Sequence, residues 1–254
     1  MVYPCHAQDL ASWDQVSCYC ERAMNPDFWA EPLNALSNLA FLLAAAFAYA
    51  DLRAKGLKRG ARTILVLIAL LIMVGVGSFL FHAYATVWAR LADVAPIAAF
   101  VAVYMVLALR WFLNLGIWSA LNISAVIVLA TVAMFLCGGV LPDELCKQLS
   151  ASLNGSLAYA PALIALAVVG IILYRRKHGA ADWVLSALCA FTLSLAFRTL
   201  DGWPEGQPLG CMAREAGGQM VMLGTHALWH ILNAVTLYLL LRAAIENAPK
   251  AGAN

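Results

Sequence analysis

Charge is scarce in this sequence. Only 12% of the 254 residues are Asp, Glu, Lys or Arg, and 63% are hydrophobic. A soluble globular domain carries about 25% charged residues. Half that density over a whole chain makes lipid the solvent for most of its length. A formal net charge of +2 gives no support for nucleic-acid binding, and no basic run is dense enough for a polybasic lipid-binding tail. Internal repeats and low-complexity segments are absent. The lysines are few: Lys55, Lys58, Lys147, Lys177 and Lys250 all fall outside the apolar runs. A retinal protein needs a lysine within the membrane for its Schiff base, so that class is set aside. The first 30 residues lack the apolar core of a secretory leader, because Pro4, His6, Asp9, Asp14, Glu21 and Asp27 interrupt it. They read as a structured segment at the membrane surface.

Long apolar runs are what the chain does have. A spanning helix needs roughly 20 apolar residues. Seven runs meet that need: Leu33–Leu52, Thr63–Ala85, Trp88–Leu113, Ile117–Cys137, Leu153–Tyr174, Trp183–Leu200 and Gln219–Leu241. The fold class is therefore an all-α membrane protein, a seven-transmembrane helix bundle. Residues 1–31 form an extramembrane segment, 32–242 the bundle and 243–254 a short tail. Pro32 sits where the first helix begins, a tolerated place for proline. Pro96 and Pro161 fall inside runs, which membrane helices accept when neighbours satisfy the freed carbonyl.

Loop charge sets the expected orientation. Arg53, Lys55, Lys58, Arg59 and Arg62 crowd the first loop, Arg110 lies at the third, and Arg175, Arg176, Lys177 and His178 fill the fifth. The positive-inside rule makes that side cytoplasmic. The N-terminus and the even-numbered loops then face outward and the C-terminus faces the cytoplasm. Asp9, Asp14, Glu21, Asp27, Asp143, Glu144, Asp201 and Glu205 lie on the outward segments, as do Cys5, Cys18, Cys20, Cys146 and Cys211. Outward cysteines can be oxidised to disulfides, so one or two loop staples are expected there. Cys137 and Cys189 fall in spans. Cys18 and Cys20 are too closely spaced for a usual zinc pair.

Ionisable groups inside a bilayer cost roughly 2.5–3.5 kcal/mol each, which makes each one a functional candidate. Here the second run ends Gly77-Ser78-Phe79-Leu80-Phe81-His82. The third begins Arg90-Leu91-Ala92-Asp93, and the seventh contains Thr225-His226-Ala227-Leu228-Trp229-His230. Residues four apart stack on one helix face, which pairs His226 with His230 and Ser78 with His82. By the expected topology His82 is near the outer end of its span. Asp93 is about one turn in, and His226 and His230 about two to three turns in. All five therefore share the outer part of the membrane. Taken singly, each has a plain structural role: interhelical hydrogen bonds for the histidines, an ion pair with Arg90 for Asp93, a bond back to its own helix for Ser78. Together, three neutral imidazoles with an open fourth position make a catalytic zinc arrangement. Zinc lowers the pKa of bound water to about 7 and polarises a carbonyl. Asp93 is then the general base and acid, and Ser78 a donor to the developing oxyanion.

These residues resemble the alkaline ceramidase family, within a wider group of seven-span membrane hydrolases that includes adiponectin-receptor-like proteins. The resemblance runs from about Cys18 to Leu241. It rests on Glu31-Pro32-Leu33-Asn34-Ala35-Leu36-Ser37-Asn38, on Gly77-Ser78 with His82, on Asp93, on Phe197-Arg198 with Asp201, and on His226-Ala227-Leu228-Trp229-His230. It implies that His82, His226 and His230 bind zinc, that Asp93 holds the water and that Ser78 assists. It implies a calcium site in the N-terminal segment, for which Glu21 and Glu31 match. Cys18 and Tyr19 replace that motif's aspartate and tryptophan, and its asparagine falls on Ala23 or, after a shift, on Asn25 or Asp27. It also implies a disulfide between Cys20 and Cys211. The amide bond and the sphingoid lipid come from the resemblance alone. The residues by themselves reach a membrane zinc hydrolase acting on a lipid. Two alternatives stay open here: a haem protein with histidines from two helices on iron, and a receptor or transporter that keeps the architecture without catalysis.

Overall fold

The computed structural model describes residues 2–4, 10–57, 60–136, 142–201, 210–216 and 219–249. Cys5, His6, Asp9, Lys58, Arg59, Cys137, Glu205 and Lys250 lie outside the described residues. Two short strands, β1 (Val2–Pro4) and β2 (Gln15–Ser17), pair in parallel. Helices follow: α1 (Pro32–Ser37), α2 (Leu39–Lys55), α3 (Ala61–Tyr84), α4 (Val87–Trp111), α5 (Ile117–Leu136), α6 (Asp143–Ser152), α7 (Ala160–Arg175) and α8 (Ala181–Leu200). A hairpin of β3 (Met212–Ala216) and β4 (Gln219–Leu223) precedes the last helix, α9 (His226–Glu246).

Among the described residues, seven segments are long and apolar enough to cross a membrane: Pro32–Lys55, Ala61–Tyr84, Val87–Trp111, Ile117–Leu136, Ser156–Arg175, Ala181–Leu200 and His226–Glu246. They match the seven runs read from the sequence. The order of packing is circular: α2 on α3, α3 on α4, α4 on α5, α5 on α7, α7 on α8, α8 on α9, and α9 back on α2. Helix α9 also touches α3 and α4 and is the most enclosed of the seven, while α5 is the most peripheral. The core is built from Phe41, Leu67, Leu71, Phe100, Leu173 and Leu241 among others. Met73, Leu129, Ile164 and Val168 point outward, as expected where the surroundings are lipid.

Three boundaries differ from the sequence reading. The first span is two helices meeting at Asn38. The Asn38 amide donates back to the carbonyls of Asn34 at 2.8 Å and Ala35 at 3.3 Å, which satisfies backbone acceptors at the break. The seventh span begins at His226, not Gln219, and α9 runs on to Glu246. Met220-Val221-Met222-Leu223 is apolar enough to extend a helical run, yet it pairs with β3 instead. A short apolar run cannot be assigned to strand or helix by hydropathy alone. His226 is therefore the first residue of its helix and His230 lies one turn in, closer to the bundle end than expected. Third, α6 falls outside every apolar run because it is short and polar.

The N-terminal segment is tied to the turn between α3 and α4. Val16 N–H donates to Ala85 O at 2.7 Å, Val87 N–H to Asp14 O at 3.1 Å and Trp88 N–H to Ser12 O at 3.0 Å. Cys20 is disulfide-bonded to Cys211, the pairing implied by the resemblance, and Cys18 and Cys146 are also in disulfides. The segment thus closes the end of the bundle where α3 stops and α4 and α9 start.

Candidate metal centre

Three histidines meet at that closed end. His82 comes from the last turn of α3, and His226 and His230 from the first two turns of α9. One nitrogen of each lies within 4.8 Å of the others, and all three rings are buried. The carboxylate of Asp201, the residue that follows α8, fixes where α9 starts. It accepts the backbone N–H of His226 at 2.9 Å and that of Cys20 at 3.2 Å. Burial pushes the Asp201 carboxyl up to about 7 against the hydrogen bonds from His226, Cys20 and Thr225. A side chain at Gly224 would run into the Asp201 carboxylate and approach Cys20 Cβ within 3.0 Å, so glycine is required for this cap to close.

The outer nitrogens decide what the inner ones can do. His82 Nδ1 is 2.6 Å from Glu31 Oε2, so Nδ1 carries the proton and Nε2 holds a lone pair. His230 Nδ1 is 2.7 Å from Ser37 Oγ. Ser37 already gives its own proton to Asn34 O at 2.8 Å, so it must accept from Nδ1–H, and His230 Nε2 also holds a lone pair. These two Nε2 atoms face each other at 3.1 Å. Two lone pairs at that distance repel unless a cation or a shared proton draws them together. Among the described residues, His226 Nδ1 is a buried nitrogen without a hydrogen-bond partner. The donor set, three imidazoles with two tautomers fixed by outer partners, suits zinc. It does not suit haem, since the ring centroids lie 4.5 to 5.1 Å apart and leave no room for a porphyrin between them.

Ser78 and Asp93 stand beside the triad. Ser78 Oγ is 3.4 Å from His230 Nε2, and the Asp93 carboxylate is hydrogen-bonded to Ser78. Two sequence details bring them together. Pro96 has no N–H for the carbonyl four residues earlier, which is that of Ala92. That carbonyl faces Gly77, where a Cβ would collide with it and would lie 3.2 Å from Asp93 N. Glycine lets α3 and α4 approach until Ser78 reaches Asp93.

The calcium expected on Glu21 and Glu31 does not fit the donors found there. Glu21 accepts the N–H groups of Leu33 at 2.7 Å and Asn34 at 2.9 Å, capping α1 instead. Glu31 is ion-paired to Arg22 Nε at 2.7 Å through Oε1. Its Oε2 takes His82 and, at 3.0 Å, Asn34 Nδ2. Burial pushes the Glu31 carboxyl up, but the hydrogen bonds from His82 and Asn34 and the charge of Arg22 outweigh it and hold it below its ordinary value. Calcium wants about six to eight oxygens, and these carboxylates are already committed.

Several contributors are not evident from spacing. Tyr19 stacks on His226 with centroids 3.7 Å apart. Arg198 lies over the rings of Tyr19, Tyr159 and Trp229 at 5.5 to 5.6 Å and donates to Tyr19 Oη at 2.8 Å. Ser37 lies within the first apolar run and Arg22 before it, and neither carries a spacing signal that points to the histidines. A family model described as Ceramidase matches residues 18–246, a range that holds every span and every residue of this centre. No curated protein matches the chain closely enough to count as a relative.

Proposed function

The chain belongs to the ceramidase family, and from that premise we propose that it is an integral-membrane zinc-dependent amidase that cleaves the N-acyl bond of ceramide or a similar lipid. The observation that carries the reading is the pair of lone-pair nitrogens of His82 and His230 facing each other at 3.1 Å, with His226 completing a set of three. His82, His226 and His230 would hold the ion. When bound, zinc supplies a Lewis acid that acidifies water and polarises the amide carbonyl.

The remaining steps belong to side chains. Asp93 accepts a proton at its carboxylate as water attacks the carbonyl carbon. Ser78 donates its hydroxyl hydrogen to the carbonyl oxygen as negative charge builds there. Asp93 returns the proton to the amide nitrogen as the C–N bond breaks, releasing a sphingoid base and a fatty acid. Tyr19 and Trp229 close the site against water. An apolar pocket between α4, α7, α8 and α9, lined by Phe100, Tyr159, Phe191, Asn233 and Leu237, lies one turn inward of His230 and suits the foot of an acyl chain. The centre sits at the bundle end opposite Arg53, Lys55, Arg175 and Arg176, and the positive-inside rule supports a non-cytoplasmic side for it.

The test is to measure metal content and ceramide hydrolysis on one purified sample, wild type beside His226→Ala. About one zinc per chain, as a three-histidine site holds, with fatty acid release that the variant lacks, is the expected result. Zinc without cleavage of ceramide or of other N-acyl lipids would refute the activity. No zinc in the wild type would refute the centre.

A further inference from the structure

We propose that the guanidinium of Arg22 is a built-in cation that occupies the oxygen cage of the N-terminal segment, so that Glu31 is held on His82 without calcium. Arg22 is 1% exposed, one of the largest fully buried side chains. Its donors reach four oxygens. Nε goes to Glu31 Oε1 at 2.7 Å, one terminal nitrogen to the carbonyls of Asn25 at 3.0 Å and Asp27 at 3.1 Å, and the other to the carbonyl of His82 at 3.1 Å. One carboxylate and three carbonyls are calcium-type ligands, but here they converge on a planar fork that no pH in the physiological range discharges.

The neighbouring oxygens offer an ion little else. Both oxygens of Glu21 accept backbone N–H groups. Asn25 Oδ1 accepts Asp27 N–H at 2.8 Å. A calcium ion sharing these oxygens would sit at contact range of a positive guanidinium, where like charges repel strongly. The cage has a second use. His82 lies in the last turn of α3, so the fork also meets the negative end of that helix. Through Glu31, whose other oxygen receives His82 Nδ1–H, Arg22 is a positioning residue for a metal ligand. A permanent internal charge thus does work that an exchangeable ion would otherwise do, and the centre assembles whatever the surrounding calcium concentration.

The calcium part of this proposal does not depend on the amidase reading and is tested without turnover. The wild-type protein and Glu21→Gln are dialysed to equilibrium against about 1 mM radioactive calcium, the weak end of oxygen-cage affinities, and their melting temperatures are read with and without it. Equal binding in both proteins, and a wild-type melting temperature that calcium does not raise, is expected. Calcium bound by the wild type and lost in Glu21→Gln overturns the proposal. The positioning part rests on the histidine triad binding zinc. Zinc affinity, measured by chelator competition, should fall about tenfold to a hundredfold in Arg22→Ala, as for other residues behind a metal ligand. Arg22→Lys, a point charge that cannot span four oxygens, should recover it only in part. Unchanged zinc affinity in a folded Arg22→Ala overturns the positioning role. If that variant fails to fold, Arg22→Lys and the wild-type calcium measurement still decide.

Discussion

Replacing Glu31 with glutamine sets two neighbours in competition. The carboxylate accepts on both oxygens, from Arg22 on one and from His82 and Asn34 on the other. A glutamine amide has one acceptor oxygen and one donor nitrogen. If the oxygen turns to His82, the NH2 faces the Arg22 Nε–H, donor against donor, and the buried guanidinium keeps its three carbonyls but no counter-charge. Breaking a buried pair in this way costs about 3–5 kcal/mol. If the oxygen turns to Arg22, the NH2 faces His82 Nδ1 and favours the tautomer whose proton sits on Nε2, the nitrogen needed for the metal. Loss of such an outer partner lowers metal affinity about tenfold to a hundredfold, or about 1.4 to 2.7 kcal/mol at 1.36 kcal/mol per decade. Glu31→Gln must therefore lose either stability or zinc affinity, and it can lose both. Thermal unfolding read beside zinc competition on the same purified variant separates the two. A variant that melts like the wild type and binds zinc within twofold of it would refute the tautomer argument.

Other substitutions probe other links. Asp93→Asn should keep zinc at about one per chain, because the carboxylate is not among the three ligands, and should lose turnover by the factor of roughly 100 to 10,000 that general acid–base catalysis supplies; unchanged turnover in ceramide hydrolysis would end the assignment. Gly77→Ala should push α3 from α4 at the Ala92 carbonyl and separate Ser78 from Asp93. Its turnover should fall at least about tenfold, a barrier increase near 1.4 kcal/mol, with zinc content retained, and wild-type kinetics would show that the close approach is not needed.

Much of this was legible in the sequence because lipid makes the rules strict. A segment that must bury every backbone hydrogen bond is helical, so seven runs became seven spans. The histidines stood out because few ionisable residues interrupt those runs. What stayed hidden depends on contacts across long separations. The start of α9 is set by Asp201, 25 residues earlier, and Met220 to Leu223 look as apolar as a helix. The charge on Arg22 gave no sign that its guanidinium would reach the carbonyl of His82, 60 residues later. Glu21 and Glu31 matched a calcium motif by residue type, but residue type does not say what already occupies a carboxylate. Ser37 has meaning only once its proton is seen to be spent on Asn34.

The division of the histidines between α3 and α9 has a consequence for biosynthesis. His82 emerges early and waits with Glu31 and Ser37 already made, but its two companions belong to the final span, 148 residues separating it from His230. A ribosome-bound chain that has not yet released α9 carries one of the three histidines, and so does any product of premature termination before it. The bond from Cys20 to Cys211 likewise joins a segment made before α1 to one made just before α9. On the proposed reading, the three-histidine set forms only once α9 is made, and a copy that stops before α9 holds one of its three histidines.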